Sequence, residues 1–390
     1  MGKWEMVRLG DVCIIERGGS PRPIEKYITN SIEGINWIKI GDTTPDSMYI
    51  TQTKEKIIPE GMKKSRYVKP EDFLLSNSMS FGRPYILKID GCIHDGWLVI
   101  RDENSIFDKR FLFYYLGSEK TYAEFRSLVE GGVVSNLNSK MVRDLYIPLP
   151  PLQIQQKIAD ILDSANTLIE KRKAQIAKLD LLVKSKFIEM FGDLYEIEKW
   201  SCTQVEAVAN VTVGVVIKPA QYYTKESNGI RAFRSLNVGE MHVRDGDWVY
   251  FTPEGHENNM KSELHEGDVL VVRSGYPGTS CIVTADYAGC NAIDIIIARP
   301  DKSVVNPLYL SAFTNFPHGK TQIETNTGGA AQQHLNVGAY KKMTIAVPPY
   351  HLQNRFAEFV QATDKSKSEI QRSLDKLELL YKSLMQQYFC

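Results

Sequence analysis

The chain repeats itself once, at a spacing of about 196 to 198 residues, and an internal repeat of this size fixes the architecture before any motif is considered. Lys3-Trp4 falls on Lys199-Trp200, and Pro59-Glu60-Gly61 lies near Pro253-Glu254-Gly255. The segment EDFLLSNS, Glu71 to Ser78, aligns with GDVLVVRS, Gly267 to Ser274, which brings Asp72 onto Asp268. Cys92 matches Cys290 and Arg101 matches Arg299. Gly131-Gly132 followed by Leu137-Asn138 matches Gly328-Gly329 followed by Leu335-Asn336. The best-kept stretch closes each copy: Pro150-Pro151-Leu152-Gln153-Ile154-Gln155 aligns with Pro348-Pro349-Tyr350-His351-Leu352-Gln353, then Lys157 with Arg355 and Ala159 with Ala357.

Both copies divide in the same way. The first part of each is rich in Gly, Pro, Asn and aromatic residues and carries short β-like runs: Trp37 to Ile40, Phe73 to Ser76, Trp97 to Ile100, Asp268 to Arg273 and Asp294 to Ala298. A helical pattern is expected at Arg110 to Val129, so each part reads as a mixed α/β globule. After the double proline the character changes. Ile154 to Phe191 has neither Pro nor Gly, and its apolar positions (Ile154, Ile158, Ile161, Ala165, Leu168, Ile176, Leu179, Val183, Phe187, Met190) recur at helical spacing. The second copy repeats this with Leu352, Phe356, Phe359, Ile370, Leu374, Leu377, Leu380, Leu384 and Tyr388.

Prolines suit the approach to a helix and its first turn, where their missing N–H would have no partner. Gly192 supplies a stop beyond Phe191. A helix of about 38 residues spans roughly 57 Å, and with a single apolar seam it is not stable alone in water. The natural partner is the other copy. The expected fold is therefore α/β (α+β): two mixed α/β domains in tandem repeat, at 1–150 and 193–348, with long helices at 151–192 and 349–390. The helices would pair antiparallel as an intramolecular coiled coil, with pseudo-twofold symmetry.

The other bulk features mainly exclude. No run of 18 apolar residues occurs and MGKWEMVRLGDV lacks a signal-peptide core, so a cytoplasmic protein without membrane contact is expected. Six scattered cysteines without C-x-x-C or nearby His ligands read as reduced thiols, mostly in cores, with no metal site. Lys plus Arg equals Asp plus Glu, 47 each, which is unusual for a free-standing DNA binder that draws its affinity from phosphate neutralisation.

With two globules each followed by a PLPPLxxQ-like joint and a long helix, the whole chain resembles the specificity (S) subunit of type I restriction-modification systems. The resemblance is carried by KWEMVRLGDV and KWSCTQVEAV at Trp4 and Trp200, by GGVVSNLN and GGAAQQHLN, and by IPLPPLQIQQKIADIL and VPPYHLQNRFAEFV. The second copy departs at Val205-Glu206-Ala207-Val208, where the first has Leu9 to Val12, and at Ala346-Val347, where the first has Pro148-Leu149. The resemblance implies that each globule is a target-recognition domain reading one half of a bipartite double-stranded DNA sequence. It implies that the helices set the gap and dock two methyltransferase subunits, and that motor-nuclease subunits join. S-adenosylmethionine, ATP and Mg would then belong to those partners, leaving this chain without a cofactor or catalytic residue, and the neutral charge would reflect phosphate contacts supplied by the partners.

Base edges are matched best by Arg, Asn, Gln, Lys and Ser in loops. The candidates are Lys39, Asn77, Ser78, Arg83, Asn136, Asn138 and Lys140 in the first copy, and Arg234, Asn237, Arg273, Ser274, Tyr276, Gln332, Gln333 and His334 in the second. For any one of them an exposed turn former is the competing reading. The paired glycines suit either a close phosphate approach or a tight turn.

VPPY at Val347 to Tyr350 is similar to the [NDS]-P-P-[YF] motif of amino-methyltransferases, but Val347 has no oxygen to accept from a target amine, and the first copy reads Leu149-Pro150-Pro151-Leu152. The sequence has no dinucleotide loop, phosphate loop, H-E-x-x-H or [DE]-x-K nuclease tripeptide. The rival to DNA targeting is a two-domain scaffold that binds proteins and pairs its helices with an external partner.

Overall fold

The computed structural model describes residues 4–44, 47–78, 81–130, 136–193, 199–327 and 334–389. The chain forms two compact units. One comprises Met1–Lys171 with Ser373–Cys390, the other Arg172–Arg372, so each takes part of both long helices.

In the first unit, strands Ile14–Arg17, Trp97–Arg101, Phe73–Ser76, Pro84–Leu87 and Tyr49–Ile50 make one five-stranded sheet in that order. A second sheet runs Ile28–Thr29, Glu55–Ile57, Ile35–Ile38, Gly91–Ile93, Arg66–Val68. The continuous apolar run Phe73–Ser76 is a central strand buried at every position, as expected where both faces of a sheet are covered. A short antiparallel pair, Met6–Arg8 with Tyr146–Pro148, ties the start of the globule to the residues just before the helix.

The second unit repeats the plan with fewer strands. Its sheets run Ala209–Val213, Ile295–Pro300, Val269–Val272, Ser280–Ile282 and Tyr223–Thr224, Val249–Phe251, Ile230–Phe233, Asn291–Ala292, with Cys202–Gln204 paired to Thr344–Ala346. The aligned Asp and Arg positions pair with each other in both copies. Arg101 Nε donates to Asp72 at 3.1 Å, and Arg299 Nε donates to the buried carboxylate of Asp268 at 2.8 Å.

The single helical run expected at 110–129 is two helices, Lys109–Leu116 and Glu119–Glu130. Gly117 ends the first, and the Ser118 hydroxyl accepts the Thr121 N–H at 3.2 Å where the next begins. In the second unit the break between Pro307–Asn315 and Pro317–Thr327 falls at Pro317, which cannot donate into the preceding turn.

The long helices are Leu152–Phe191 and Tyr350–Phe389, 40 residues each. Each begins directly after its double proline and is joined to its globule by the same buried glutamine. Gln155 Oε1 accepts the Asp108 N–H at 2.8 Å, and its amide donates to Ile106 O and Pro150 O. Gln353 Oε1 accepts the Asn306 N–H at 2.8 Å, and its amide donates to Val304 O and Pro348 O. Gly192 has φ 88° and donates to Ile188 O, closing the first helix.

Inside the first unit, Ile158 and Leu162 near the start of the first helix share a core with Leu384, Met385 and Phe389 near the end of the second. Inside the second unit, Val183, Phe187 and Phe191 share a core with Phe356 and Val360. The helices therefore run in opposite directions within each unit. Loss of either glutamine strands three backbone groups, one of them, Pro150 O or Pro348 O, buried and the others part-buried. Gln353→Ala is expected to cost about 3 kcal/mol or more, read as a lowered urea midpoint, with Gln353→Glu failing to restore it because a carboxylate cannot donate to Pro348 O.

Cys13, Cys92, Cys281 and Cys290 are buried and Cys202 is exposed. Burial pushes the thiols of Cys13 and Cys281 up to about 12 and that of Cys92 up to about 11. Because the thiolate is the reactive form, iodoacetamide at pH 8 should label Cys202 in the native protein and Cys13, Cys92, Cys281 and Cys290 only after denaturation, as peptide mass mapping would show.

Candidate nucleic-acid interface

The constellation that both globules share lies at the end of the central strand. In the first, Leu137 N–H donates to Asn77 O at 2.9 Å; in the second, Leu335 N–H donates to Arg273 O at 2.8 Å. The next residue, Asn138 or Asn336, caps a short helix. Asn138 Oδ1 accepts from Lys140 and Met141, and Asn336 Oδ1 accepts from Ala339. The hairpin loop that leaves the strand turns back at Gly82 (φ 78°) or Gly278 (φ 87°), whose N–H donates to Ser76 O or Val272 O. Each globule thus gathers a hairpin loop and a capped helix start at one strand end.

In the second globule this cluster is tightly connected. Arg273 pairs with Asp294 through Nη1, donates through Nε to Leu335 O at 3.3 Å, and contacts His334 Nε2 at 2.8 Å through Nη2. A guanidinium only donates, so Nε2 of His334 accepts and the ring proton sits on Nδ1, where it donates to the Ser274 hydroxyl at 2.7 Å. Arg273, Ser274 and His334 are thereby brought together. Tyr276 stands at the hairpin tip, 80% exposed. Arg273, only 12% exposed in its side chain, holds the cluster in place.

In the first globule Asn77, Ser78 and Arg83 share the equivalent loop, with Asn136, Asn138 and Lys140 beside it. Asn77 is buried, and its amide donates to Asp95 O at 2.9 Å. Lys39 and Arg234 occupy equivalent strand ends: Lys39 N–H donates to Asp42 and Arg234 N–H to Asn237 Oδ1. The Lys39 ammonium pairs with Glu55, and Arg234 reaches Asp247 O.

Two expectations are corrected here. Asn237 is fully buried, with its amide donating to Gly246 O at 2.7 Å, and Asn77 is almost fully buried. Neither presents an edge to a base; both hold loops. Gln332, Gln333 and the two glycine pairs lie outside the described residues.

His94 and Asp95 organise the first site and were not singled out from the sequence. The His94 ring faces the amides of Ile40 (3.1 Å) and Gly96 (2.8 Å), and Asp95 accepts from the Ser20 hydroxyl at 2.7 Å. Burial pulls the His94 pKa down, and the Ser20 hydroxyl holds the Asp95 carboxyl below its usual range. A histidine with a lowered folded-state pKa stabilises the fold above its unfolded value of about 6.5 and loses that contribution as pH falls below it. Urea unfolding should therefore show stability declining below pH 6.5, with a flatter profile in His94→Asn.

Arg22 and Lys218 were not among the sequence candidates either; each is followed by proline at a spacing of 196 (218 minus 22) and each is exposed. That paired R-P and K-P was the available signal.

Among the described residues no group of three or more His, Cys, Asp or Glu could hold a metal ion, and no helix is long and apolar enough to cross a membrane.

Comparison with known proteins follows the same lines. Residues 1–179 match the family model for the type I restriction modification DNA specificity domain. The chain is 30% identical to the putative type I restriction enzyme MjaX specificity subunit of Methanocaldococcus jannaschii, covering 96% of this chain and 91% of that one. It is 25% identical to the MjaVIII specificity subunit of the same organism, over 69% of this chain, and there it spans only 63% of the relative's length. A chain from a solved structure on complex assembly and conformational transition of the type I R-M system covers 100% of this chain and 98% of its own, at 18% identity and a TM-score of 0.62, a likeness of fold.

Proposed function

We propose a DNA-targeting role for the chain from one premise: it belongs to the family of type I restriction-modification specificity subunits. In this reading the first globule reads one half of a bipartite duplex target and the second reads the other. The observation that carries it is the duplicated strand-end constellation, with Asn77 O and Arg273 O held by Leu137 and Leu335 in the same way while the side chains around them differ. A shared frame with different chemistry at its tip is what two readers of two different half-sites require. Ser78, Arg83, Asn136, Lys140 and Arg22 are assigned to the first half-site, and Ser274, Tyr276, His334, Arg234 and Lys218 to the second.

The long helices act as the spacer and as the docking surface for two methyltransferase subunits, with motor-nuclease subunits joining the assembly in the cytoplasm. The chain itself is non-catalytic. Methyl transfer, ATP hydrolysis and cleavage, with their cofactors, belong to the partners, and partner residues supply much of the phosphate clamp that 47 balanced charges of each sign do not.

The test is DNA binding by the chain with its methyltransferase partner. A duplex carrying the split target should bind with strong salt dependence and by at least about a thousandfold over unrelated DNA. Binding of proteins through both globules without any DNA preference would favour the scaffold reading. In addition, four residues inserted into both helices, about one turn, should widen the permitted gap between half-sites; an unchanged gap would remove the spacer role.

A further inference from the structure

The turn carrying Arg22 in the first globule and Lys218 in the second opens at an equivalent glycine in both and differs at its tip. Gly18 and Gly214 open it; each N–H donates across to the strand, to Trp97 O at 2.9 Å and to Ile295 O at 3.0 Å. At each of these glycines a Cβ would collide with a backbone carbonyl, of His94 or of Ala292, so both turns leave their sheets at a point only glycine allows. Pro23 and Pro219 close it into a short 3-10 turn. In the first globule the residues between are Gly19, Ser20, Pro21 and Arg22, with Ser20 bonded to Asp95 and the Arg22 guanidinium 82% exposed and 3.6 Å from Asp95.

In the second globule the residues between are Val215, Val216, Ile217 and Lys218, and the tip is apolar. Val216 is 48% and Ile217 78% exposed. This exposure is built rather than slack. Lys218 adopts φ 44° and ψ 51°, a left-handed conformation unfavourable for a residue with a Cβ and again for one preceding proline. At the base of the turn Asp294, also left-handed at φ 49°, donates its N–H to Val215 O at 3.1 Å while its carboxylate holds Arg273. Strain of this kind persists where the surrounding structure enforces it, and it gathers at functional sites. Two strained residues therefore bound an exposed Val-Ile tip whose base, Val215, is tied through Asp294 to Arg273 of the cluster.

We propose that Ile217, supported by Val216, is a specificity-determining contact of the second globule, packing on the C5-methyl of a thymine in its half-site. The equivalent turn of the first globule instead offers the Arg22 guanidinium to its own half-site. This rests on the DNA-targeting role proposed above. A methyl group is the apolar feature the major groove presents, and it marks thymine alone among the four bases; an exposed branched aliphatic chain at the tip of a constrained turn is its complement.

The experiment uses the chain in complex with its methyltransferase partner and the target duplex, with thymines of the second half-site replaced by uracil, which removes only the methyl groups. Wild type should bind the uracil duplex about tenfold more weakly, the scale of one apolar group. Ile217→Ala should show that loss already on thymine DNA and be indifferent to the replacement, and Arg22→Ala should leave the thymine-to-uracil effect intact. Since Ile217 is exposed, its variant is expected to unfold at the wild-type midpoint. An equal uracil effect in wild type and Ile217→Ala, or none in wild type, would overturn the inference, as would a variant weakened alike on all sequences. If wild type shows no preference for any split sequence, the targeting role itself fails, an outcome distinct from all of these.

Discussion

Phe187→Ala lowers the unfolding free energy of the second unit by about 3–5 kcal/mol, the range for truncating a large buried aromatic. The ring is 1% exposed and lies 5.1 Å from Phe191, 5.6 Å from Tyr309, 5.4 Å from Phe316 and 5.4 Å from Phe356, centroid to centroid. These neighbours belong to both long helices and to the globule, so the cavity opens where three elements meet and none can collapse into it alone. Against a typical total of about 5–15 kcal/mol the loss is a large fraction. Urea denaturation should show a lowered midpoint with an unchanged slope, and Phe187→Leu, which keeps most of the volume, should lose less. A loss under about 1 kcal/mol would mean the three elements are not held by this ring.

Exchanging residues 1–150 for the corresponding segment of a relative replaces one half of the methylated motif completely and leaves the other half and the gap unchanged. Each globule carries its own strand-end cluster, and every bond named for either cluster lies within that globule. The joint that must survive the exchange comprises Gln155 to Ile106 O, Asp108 N–H and Pro150 O, the Arg110 pairs with Asp160 and Asp163, and the packing of Ile158, Leu162 and Phe389 into the core of the globule. A graft keeping these contacts should fold. Methylome sequencing of cells carrying the exchanged chain reads the outcome, and a change in both halves would contradict independent reading.

The architecture was legible because its signals are long. Forty residues without a breaker and with one apolar seam leave few alternatives to a helix, and the repeat places the second helix from the first. Gln155 and Gln353 stood out by alignment, although their three-way bonding could not be read from spacing. Division of the helices between the units was not legible either: Phe389 is buried against Phe111 and Tyr115, a contact across more than two thirds of the chain that periodicity does not encode.

The site was legible only as a region. Asn77 and Asn237 carry the side chain suited to adenine, but the same amide satisfies loop backbone, and burial decided for the loop in both. Tyr276 and His334 were among the candidates read from type and position; Arg22, Lys218 and Ile217, which the proposals add, were not, because a basic residue before proline and an aliphatic residue in a turn have many ordinary uses. What distinguishes them is exposure, and for Lys218 a left-handed backbone, which appear only once the chain is folded.

The most direct test of the central claim is long-read methylome sequencing of cells carrying this chain with its cognate methyltransferase, against cells carrying the methyltransferase alone. A split methylated motif that appears only with the chain is the expected result, and it gives both half-sites and the gap at once. An isolable complex with the methyltransferase that leaves no split motif would contradict DNA targeting and favour the scaffold reading.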